Sequence, residues 1–480
     1  MTTPATQPWP SGLPVGEGWV PVQDSAPVVF PYDGSVAGTA PVGDAALAAR
    51  AVEEALAVAP AMARVPSHAR RTALMAAHDA LAGHRAEFER LLVRETGKPL
   101  VDCRVEVART IVTLATAAEE VARLHGETVP LDLLPSGEGL TGFWTRRPIG
   151  VVVGITGFNY PLLLAAHKIA PAVAAGCPVI VKPAPATPLA TLWLVHLLRS
   201  SGALPPAAVQ LVTGDVEVGR TLVEDRRIGA VSFTGSAAAG HAIARNAAPT
   251  KVLLELGSNA ALIVAADADL EAAAGAVVRG GYYASGQACI SVQRVVVEEA
   301  VREEFLALLA GRMKEVVVGD PRDPGTRVAP LIDERATGRV LDWVSAAVSA
   351  GATLVTGGGR EGRALQPTLL AGVPDGAAAW DEEIFGPVVC VRPAAGLEEA
   401  FALVNRSRYG LHAAVFTRSL ATAFAAIERI EAGGVVVNEV PGFRADNMPY
   451  GGVKDSGIGR EGPRFAIEEF TVTRMAVIRP

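Results

Sequence analysis

Apolar and polar positions alternate along the chain with two different periods. Residues 45–88 repeat apolar side chains at helical spacing, and Asp44 stands where a cap for the first helix belongs. Short, nearly continuous apolar runs bounded by Gly or Pro follow, typical of strands buried on both faces of a parallel sheet. The five predicted strands are residues 149–155, 177–182, 208–214, 228–235 and 251–257. Helical segments at 162–175, 188–200 and 237–246 separate them, which predicts a doubly wound α/β domain.

A second alternating region, residues 259–437, predicts a second α/β unit. Its strand-like segments are 294–299, 352–357, 388–393 and 412–417. Two further strand-like segments, 141–150 and 470–480, have no helical segment of their own. Because an exposed strand offers unpaired backbone groups, we expect these two to invite pairing with another subunit.

Composition argues against several classes of protein. The 480 residues are enough for two or three domains with substantial cores. The four cysteines are widely spaced, which predicts neither a disulfide framework nor a zinc site and favours a reducing, cytoplasmic setting. The net charge of −7 comes without a basic stripe, so we expect no nucleic-acid partner. Charge or proline interrupts every long apolar run, and the N-terminus lacks a signal-peptide pattern, so we expect neither a membrane span nor secretion.

The segment FTGSAAAG, residues 233–240, leads from a predicted strand into a predicted helix. Gly235 and Ser236 form the turn, and Gly240 lies in the helix. Free N–H groups at such a helix start attract an anion, and glycine permits close approach. The fuller GxGxxG fingerprint is absent, so taken alone the segment favours a closely packed strand-to-helix turn.

Three residues could carry chemistry, although each also has an ordinary structural explanation. Cys289 lies in ASGQACISVQR, and a free cysteine is usually a small core residue. Glu255 closes an apolar strand, where a carboxylate is either solvated or functional. Asn159, in GITGFNYPL, follows a strand and is either a turn asparagine or an amide that points into a cleft. Taken singly, none of the three identifies a reaction.

Seven motifs considered together change this assessment. They are GFNYPL, VKPAPATP, FTGSAAAG, LELGS with GQAC downstream, EEIFGPV, NRSRYGLHAAVFT and PYGGVKDSGIGREG. With these motifs in this order, the chain resembles the aldehyde dehydrogenase superfamily of non-phosphorylating, NAD(P)-dependent enzymes from about Tyr32 to its C-terminus. The resemblance implies an α/β fold with a Rossmann-type dinucleotide-binding domain (1–127 and 148–257), an α/β catalytic domain (258–455) and a small oligomerisation β-hairpin (128–147 and 468–480).

The resemblance implies a covalent mechanism. Cys289 is then the nucleophile that adds to the aldehyde carbonyl, and Asn159 and the backbone N–H of Cys289 stabilise the oxyanion. Glu255 is then the general base that activates water to hydrolyse the thioester to a carboxylic acid. Two alternatives stay open: a coenzyme A acylating enzyme, against which the retained Glu255 argues, and a non-catalytic dinucleotide-binding homologue.

The same resemblance implies that the cofactor is NAD or NADP. The implied cofactor-binding positions are Gly235, Ser236 and Gly240 at the pyrophosphate, Glu383 and Phe385 at the nicotinamide ribose and ring, and Lys182 near the adenosine ribose. Pro185 stands where NAD-preferring relatives often have a glutamate, so the preference between the two cofactors stays open. Ser258 replaces the second glycine of the common ELGG, where we expect it to crowd the site or alter which substrates fit.

The implied substrate is a small hydroxylated or anionic aldehyde. Residues 443–457 are more similar to lactaldehyde, glyceraldehyde and succinate semialdehyde dehydrogenases than to aromatic aldehyde enzymes. The implied pocket neighbours are Leu164, His167, Tyr283, Ala288, Ile290, Phe443, Arg444 and Tyr450. Arg444 and His167 can meet a carboxylate, phosphonate or hydroxyl, although Arg444 can equally be a solvated loop residue. We expect no metal ion, and the resemblance implies a homodimer or homotetramer.

Overall fold

A six-stranded sheet forms the centre of the first α/β unit in the computed structural model, which describes residues 7–480. The first six residues, part of the N-terminal arm in which no signal peptide is predicted, lie outside that range. Five strands are parallel and the first, at the edge, is antiparallel. Their order is Gly457–Ile458, Lys251–Glu255, Ala230–Thr234, Val152–Ile155, Val179–Lys182 and Val209–Leu211.

Helices cover this sheet. Because five of its strands are parallel, their carboxyl ends lie at one edge. All five predicted strands and the three predicted helices are present, with strand ends one to three residues shorter than the apolar runs. The helices that follow its strands are Pro161–Ala175, Leu189–Ser200, Val216–Glu224 and Ala237–Ala247. Four N-terminal helices share the same apolar core: Ala45–Met62, Ser67–Gly83, Arg85–Thr96 and Leu100–Glu120. Asp44 caps the first of them by accepting a hydrogen bond from the Leu47 N–H (2.7 Å), as predicted.

A seven-stranded sheet forms the centre of the second α/β unit. Its order is Thr353–Thr356, Thr368–Ala371, Val388–Ala394, Arg294–Glu298, Ala261–Val264, His412–Phe416 and Gly434–Val437, parallel except for the first. Ile263 belongs to the apolar cluster on one face and Leu262 to the cluster on the other, as expected of strands buried on both faces. The accompanying helices are Leu270–Tyr282, Arg302–Met313, Glu334–Ser349, Ala378–Asp381, Leu397–Asn405 and Leu420–Arg429.

The two strand-like segments without helices of their own pair with each other. Thr471–Ile478 runs antiparallel to Thr141–Pro148 over all eight residues, and Glu127–Val129 adds a third strand on the other side. The predicted hairpin is therefore part of a three-stranded sheet, and much of its hydrogen bonding is satisfied within the chain. Its exposed large apolar side chains include Val472, Met475, Val477 and Ile478. Helix Pro463–Glu469 leads into this sheet and packs on the first core.

Several short elements complete the chain. An unpredicted hairpin joins Ser25–Val29 to Val36–Pro41. Two small pairs are Arg360–Glu361 with Ala364–Leu365 and Tyr409–Gly410 with Val453–Lys454. Single 3₁₀ turns occupy Val121–Arg123, Pro135–Gly137, Pro206–Ala208, Tyr283–Gly286 and Glu299–Val301. Within residues 7–480, no helix has the length and apolar character that crossing a membrane requires.

Candidate active site

A strained turn presents Cys289 at the end of helix Leu270–Tyr282. Ala284, Ser285 and Gly286 follow one another with φ of 48°, 57° and 75°, a left-handed conformation that costs free energy for residues other than glycine. At Gly286 a Cβ would lie 2.0 Å from the carbonyl oxygen of Gly386, so no larger residue fits. The turn therefore requires surrounding contacts that hold it.

Two buried side chains fix this turn. The Ser285 hydroxyl bonds both the carbonyl oxygen and the N–H of Ala329, each at 2.9 Å. The Ala284 N–H donates to the carboxylate of Asp102 (2.9 Å). Because three hydrogen bonds hold two consecutive residues, the position of the thiol that follows is set by the scaffold and not by the loop alone.

Cys289 is half-buried in an apolar wall. Tyr283 and Ile290 pack beside it, and its Sγ lies 3.3 Å from the hydroxyl of Tyr450. Burial raises the pKa of the Cys289 thiol to about 12, and the Tyr450 hydrogen bond opposes this shift. The resting thiol is therefore protonated at neutral pH. It must lose its proton as it attacks.

Asn159 contacts the turn that carries the thiol. It follows strand Val152–Ile155, and its Nδ2 donates to the backbone oxygen of Gln287 (2.9 Å), two residues before Cys289. The N-cap of helix Pro161–Ala175 is Tyr160, so Asn159 is not a cap. Its amide links the loop after this strand to the turn that carries the thiol, and its role at an oxyanion stays a prediction.

Glu255 is a buried carboxylate at the end of strand Lys251–Glu255. It is 4 % exposed, and neither of its carboxylate oxygens has a hydrogen-bond partner among the described residues. Burial, and then the charge of nearby Glu461, raises its pKa well above the usual value. The alternative of a solvated strand end is therefore wrong. A buried, unpartnered carboxylate is available to accept a proton.

A buried ionic cluster lies behind this carboxylate. Glu461 accepts hydrogen bonds from Lys168 (3.1 Å) and Arg444 (3.3 Å), and His167 Nδ1 lies 3.2 Å from it. Burial opposes ionisation of Glu461, yet Lys168 and His167 bring its pKa well below the usual value. Sequence analysis missed Lys168 and Glu461. A lysine inside the apolar helix Pro161–Ala175 was the available signal, because a charge there needs a partner.

Arg444 belongs to the same cluster. Its side chain is 6 % exposed, so the alternative of a solvated loop residue is wrong. The guanidinium carbon lies 3.8 Å from the centre of the Tyr450 ring. Asp446 lies 3.4 Å from His167 Nε2 and is bound by two nitrogens of Arg109 (2.7 and 3.1 Å). Arg444 therefore brings positive charge to the ring that contacts the thiol.

The remaining predicted pocket residues occupy different depths. Tyr283 has a buried hydroxyl with no hydrogen-bond partner among residues 7–480. Leu164 lies near Asn159, since both approach the same side of Gly157. Ala288 is buried beside the thiol, whereas Phe443 is 54 % exposed. The structure thus brings Leu164, Tyr283, Ala288, Ile290 and Tyr450 near the thiol or Asn159, and Phe443 lies at the surface.

The strand-to-helix turn at residues 234–237 fits a pyrophosphate. Ser236 caps helix Ala237–Ala247 by accepting from the Ala239 N–H (3.4 Å), which leaves the first two helical N–H groups free to bind an anion. A Cβ at Gly240 would lie 2.2 Å from Leu256, so this glycine serves helix–strand packing. Gly235 is also tight, because a Cβ there would lie 2.4 Å from Phe233.

Lys182 ends strand Val179–Lys182 with a buried side chain. Burial lowers the pKa of its ammonium group to about 8, opposed by the charge of Asp215. No residue among 7–480 accepts a hydrogen bond from this ammonium. A free, largely buried donor suits ribose or phosphate oxygens. Pro185, three residues later, is exposed in the loop that follows.

Glu383 contacts the Gly257–Ser258 segment, and Phe385 follows two residues later. Glu383 accepts a hydrogen bond from the Ser258 N–H (2.9 Å), and burial raises its pKa to about 7. A Cβ at Gly257 would lie 2.6 Å from Glu383 Oε2. Glu383 therefore approaches the backbone most closely at Gly257, the first glycine of the common ELGG. Ser258, at the second, contributes its backbone N–H. Phe385 has φ of 49° and packs edge-on against Phe158.

A thiol, an amide and a buried carboxylate lie where the two α/β units meet, which is the arrangement expected of an enzyme site. The model of the aldehyde dehydrogenase family matches residues 19–476. The chain belongs to this family and is an NAD(P)-dependent oxidoreductase that acts on aldehydes.

Three similar proteins illustrate this membership. A 3-sulfolactaldehyde dehydrogenase of Priestia aryabhattai is 42 % identical over 84 % of this chain and 85 % of its own. The crystal structure of aldehyde dehydrogenase 21 from Physcomitrella patens, in complex with the reaction product succinate, has a TM-score of 0.95 and 38 % identity over 98 % of both chains. Glyceraldehyde-3-phosphate dehydrogenase of Methanocaldococcus jannaschii, complexed with NADP, has a TM-score of 0.92 and 34 % identity over 96 % of this chain and 100 % of that one.

Proposed function

We propose that the protein oxidises a small anionic or hydroxylated aldehyde to its carboxylic acid through a thioester on Cys289. The observation that carries this proposal is the meeting of Asn159 with the thiol turn, where Nδ2 reaches the Gln287 carbonyl. An amide beside a thiol supplies the donor that an adduct of that thiol with a carbonyl needs.

The first step forms a bond between Cys289 and the aldehyde carbon. Because the resting thiol has a pKa of about 12, its proton must pass to water as the sulfur–carbon bond forms. The carbonyl oxygen becomes an oxyanion. Asn159 Nδ2 and the Cys289 N–H stabilise it, at about 10² to 10³ in rate for each donor.

The second half of the reaction releases the acid. When bound, NAD or NADP would supply the two-electron oxidant: hydride would leave the thiohemiacetal carbon, and Cys289 would then carry the acyl group as a thioester. Glu255 then removes a proton from water, the water oxygen attacks the thioester carbon, and the Cys289 thiolate departs. The product is a free carboxylic acid. The retention of Glu255 in a buried position supports hydrolysis over acyl transfer to coenzyme A and over a non-catalytic homologue.

The residues that would hold the cofactor fit a dinucleotide. Gly235, Ser236 and the free N–H groups of helix Ala237–Ala247 would bind the pyrophosphate, with Gly240 allowing the helix to pack closely. Lys182 would meet the adenosine ribose or its 2′-phosphate. With Pro185 in place of a carboxylate, the loop has no group that repels a 2′-phosphate, so we propose that both cofactors bind. Glu383 and Phe385 would hold the nicotinamide ribose and ring.

The buried Arg444 guanidinium and His167 ring support an anionic or hydroxylated substrate. Arg444 lies against the Tyr450 ring, and His167 lies 3.3 Å from the Arg444 guanidinium. A carboxylate, sulfonate or hydroxyl two or three bonds from the aldehyde carbon would bind Arg444 and His167 while the carbonyl group lies at Cys289. Similar proteins act on 3-sulfolactaldehyde or were crystallised with succinate, which supports the same class.

Other parts of the structure support proposals for assembly and location. We propose that the units 1–127 with 148–257 and 258–455 are the cofactor and catalytic domains, and that 128–147 with 468–480 joins subunits into a homodimer or homotetramer. The exposed apolar side chains of strand Thr471–Ile478 support that contact. Four free cysteines support a cytoplasmic setting.

The test is a panel of aldehydes assayed with NAD and NADP in parallel. We expect absorbance of the reduced cofactor to grow with small anionic or hydroxylated aldehydes, and free acid to form without coenzyme A. The matched control is Cys289→Ala, which should bind cofactor and oxidise nothing. A wild-type protein inactive across the panel with both cofactors would contradict the proposal.

A further inference from the structure

A buried ion pair outside the proposed chemistry lies beneath Asn159. Lys98 follows helix Arg85–Thr96, and Glu106 lies in helix Leu100–Glu120. Their side chains are 1 % and 0 % exposed, and the Lys98 ammonium contacts the Glu106 carboxylate directly. A buried ion pair is weak evidence for stability, since apolar residues often replace one without loss. Its other contacts indicate what it does.

The ammonium of Lys98 binds the Asn159 loop in two further ways. It donates to the backbone oxygen of Asn159 at 2.6 Å. It also lies 3.5 Å from the centre of the Tyr160 ring, a favourable place for a cation. One charged group therefore holds two consecutive residues of the loop, on the backbone of the first and the side chain of the second.

The carboxylate of Glu106 holds the other side of the same loop. Its Oε1 accepts hydrogen bonds from the N–H groups of Leu162 (3.0 Å) and Leu163 (3.2 Å), at the start of helix Pro161–Ala175. A carboxylate at a helix start satisfies free donors and matches the helix dipole. The ion pair thus spans the backbone from Asn159 to Leu163, and ties one end to the segment before helix Leu100–Glu120 and the other to that helix.

We propose that Lys98 and Glu106 are positioning residues that fix the direction of the Asn159 amide toward the oxyanion. The inference rests on the proposed role of Asn159. Lys98 prevents the Asn159 carbonyl from turning, and Glu106 prevents the following helix from shifting. A donor displaced by about 1 Å loses most of its effect on the transition state, because the benefit depends on geometry.

The test changes both charges together. Lys98→Met alone leaves a buried carboxylate without its cation, so the main variant is Lys98→Met/Glu106→Gln, whose glutamine oxygen can still accept from the helix N–H groups. We expect kcat to fall about 10²-fold, with the KM for cofactor within about twofold of the wild type. If this variant does not fold, Glu106→Asp keeps the ion pair but shortens the reach of the carboxylate to the helix N–H groups, and it should lower kcat about tenfold.

Glu95 offers a matched control. It is also buried, and it accepts hydrogen bonds from Leu189 (2.8 Å) and Ala190 (3.1 Å) at the start of helix Leu189–Ser200. The charges of Glu106 and Lys98 act on its pKa, but it accepts no hydrogen bond from residues 159–163. Glu95→Gln changes the same kind of group at the same kind of helix start. It should leave kcat at saturating cofactor within about twofold of the wild type. An equal loss of kcat in this control would overturn the proposal.

A double-mutant cycle separates positioning from general stability. Asn159→Ala should lower kcat about 10²- to 10³-fold. If Lys98 and Glu106 act through Asn159, introducing Lys98→Met/Glu106→Gln into Asn159→Ala should lower kcat by less than about a further threefold. The proposal would be overturned if the two effects on kcat multiplied. It would also be overturned if weaker cofactor binding and a lower melting temperature accounted for the loss of rate.

A measurement without turnover keeps this inference distinct from the proposed function. Hydrogen–deuterium exchange of the peptide covering residues 156–165 should speed up in the double-charge variant and stay unchanged in Glu95→Gln. An inactive wild type would contradict the proposed function, while exchange would still show whether the pair holds the loop. Wild-type protection in the variant would overturn the inference.

Discussion

The phenolic oxygen of Tyr450 lies 3.3 Å from the Sγ of Cys289, although 161 residues separate them in the chain. This hydrogen bond opposes the burial that raises the thiol pKa. In Tyr450→Phe the ring and its contact with Arg444 remain while the bond is lost. We expect kcat/KM near neutral pH to fall about 3- to 10-fold. The increase of kcat/KM with pH should shift to higher pH values. An unchanged pH profile would show that Tyr450 only fills space.

Replacing Glu255 should separate the two halves of the reaction. Glu255→Gln keeps the size of the buried side chain and removes the base, so the thioester should persist. We expect one equivalent of reduced cofactor per active site, then a steady rate about 10² to 10⁴ times slower. Intact mass spectrometry should show the acyl adduct on Cys289. Glu469→Gln, which changes a carboxylate paired with Lys251 at the start of the same strand, should turn over normally.

Lys182 predicts a pH dependence of cofactor affinity. Its pKa is lowered to about 8 by burial, so the ammonium is charged below that value and neutral above it. The KM for NADP, and less so for NAD, should therefore rise as the pH increases from about 7 to about 9. In Lys182→Met the KM should be high throughout and flat across this range. A sloping profile in that variant would assign the titration to another group.

Arg444 predicts how substrates are distinguished. Arg444→Gln removes the charge beside Tyr450, so the KM for anionic aldehydes should rise about 10- to 100-fold, the effect of one charge-assisted hydrogen bond. The KM for an unsubstituted aldehyde such as propanal should change less than about threefold. Phe443→Ala, next in the chain but 54 % exposed, is the control. Equal losses for charged and neutral aldehydes would argue against substrate contact.

The glycine next to Glu383 matters more than the serine that follows it. Gly257→Ala places a methyl group 2.6 Å from Glu383 Oε2, so the carboxylate must move, and the KM for cofactor should rise about tenfold. Ser258→Gly keeps the backbone N–H that binds Glu383. It should change kcat and KM less than about threefold. A large gain in activity from Ser258→Gly would show that its side chain crowds the site after all.

The sequence predicted those elements whose signal is local. Strand Lys251–Glu255 and helix Pro161–Ala175 stand out because apolar runs with clear ends admit few alternatives. Hairpin Ser25–Val29 with Val36–Pro41 was missed because its short strands contain proline and glycine. The resemblance singled out Cys289, and the roles of the site residues stay predictions until the variants are assayed.

The environment of the site could not be predicted, because it depends on distant pairs. Lys168 and Glu461 are 293 residues apart, and no local pattern shows which cation meets which carboxylate. The same holds for Arg444. From the sequence it could equally lie in a solvated loop, whereas the structure places it in a buried ionic cluster. Burial decides its chemistry, and burial is a property of the folded chain.

The order of these residues along the chain has a consequence for biosynthesis. Asn159, Glu255 and Cys289 leave the ribosome well before Tyr450 and Glu461, and domains fold as they emerge. Strand Gly457–Ile458 also reaches its place beside Lys251–Glu255 only near the end of translation. An unfinished or prematurely terminated chain therefore carries the thiol without its tyrosine. Only a chain translated beyond Glu461 assembles the whole site, so shorter translation products should not oxidise aldehydes.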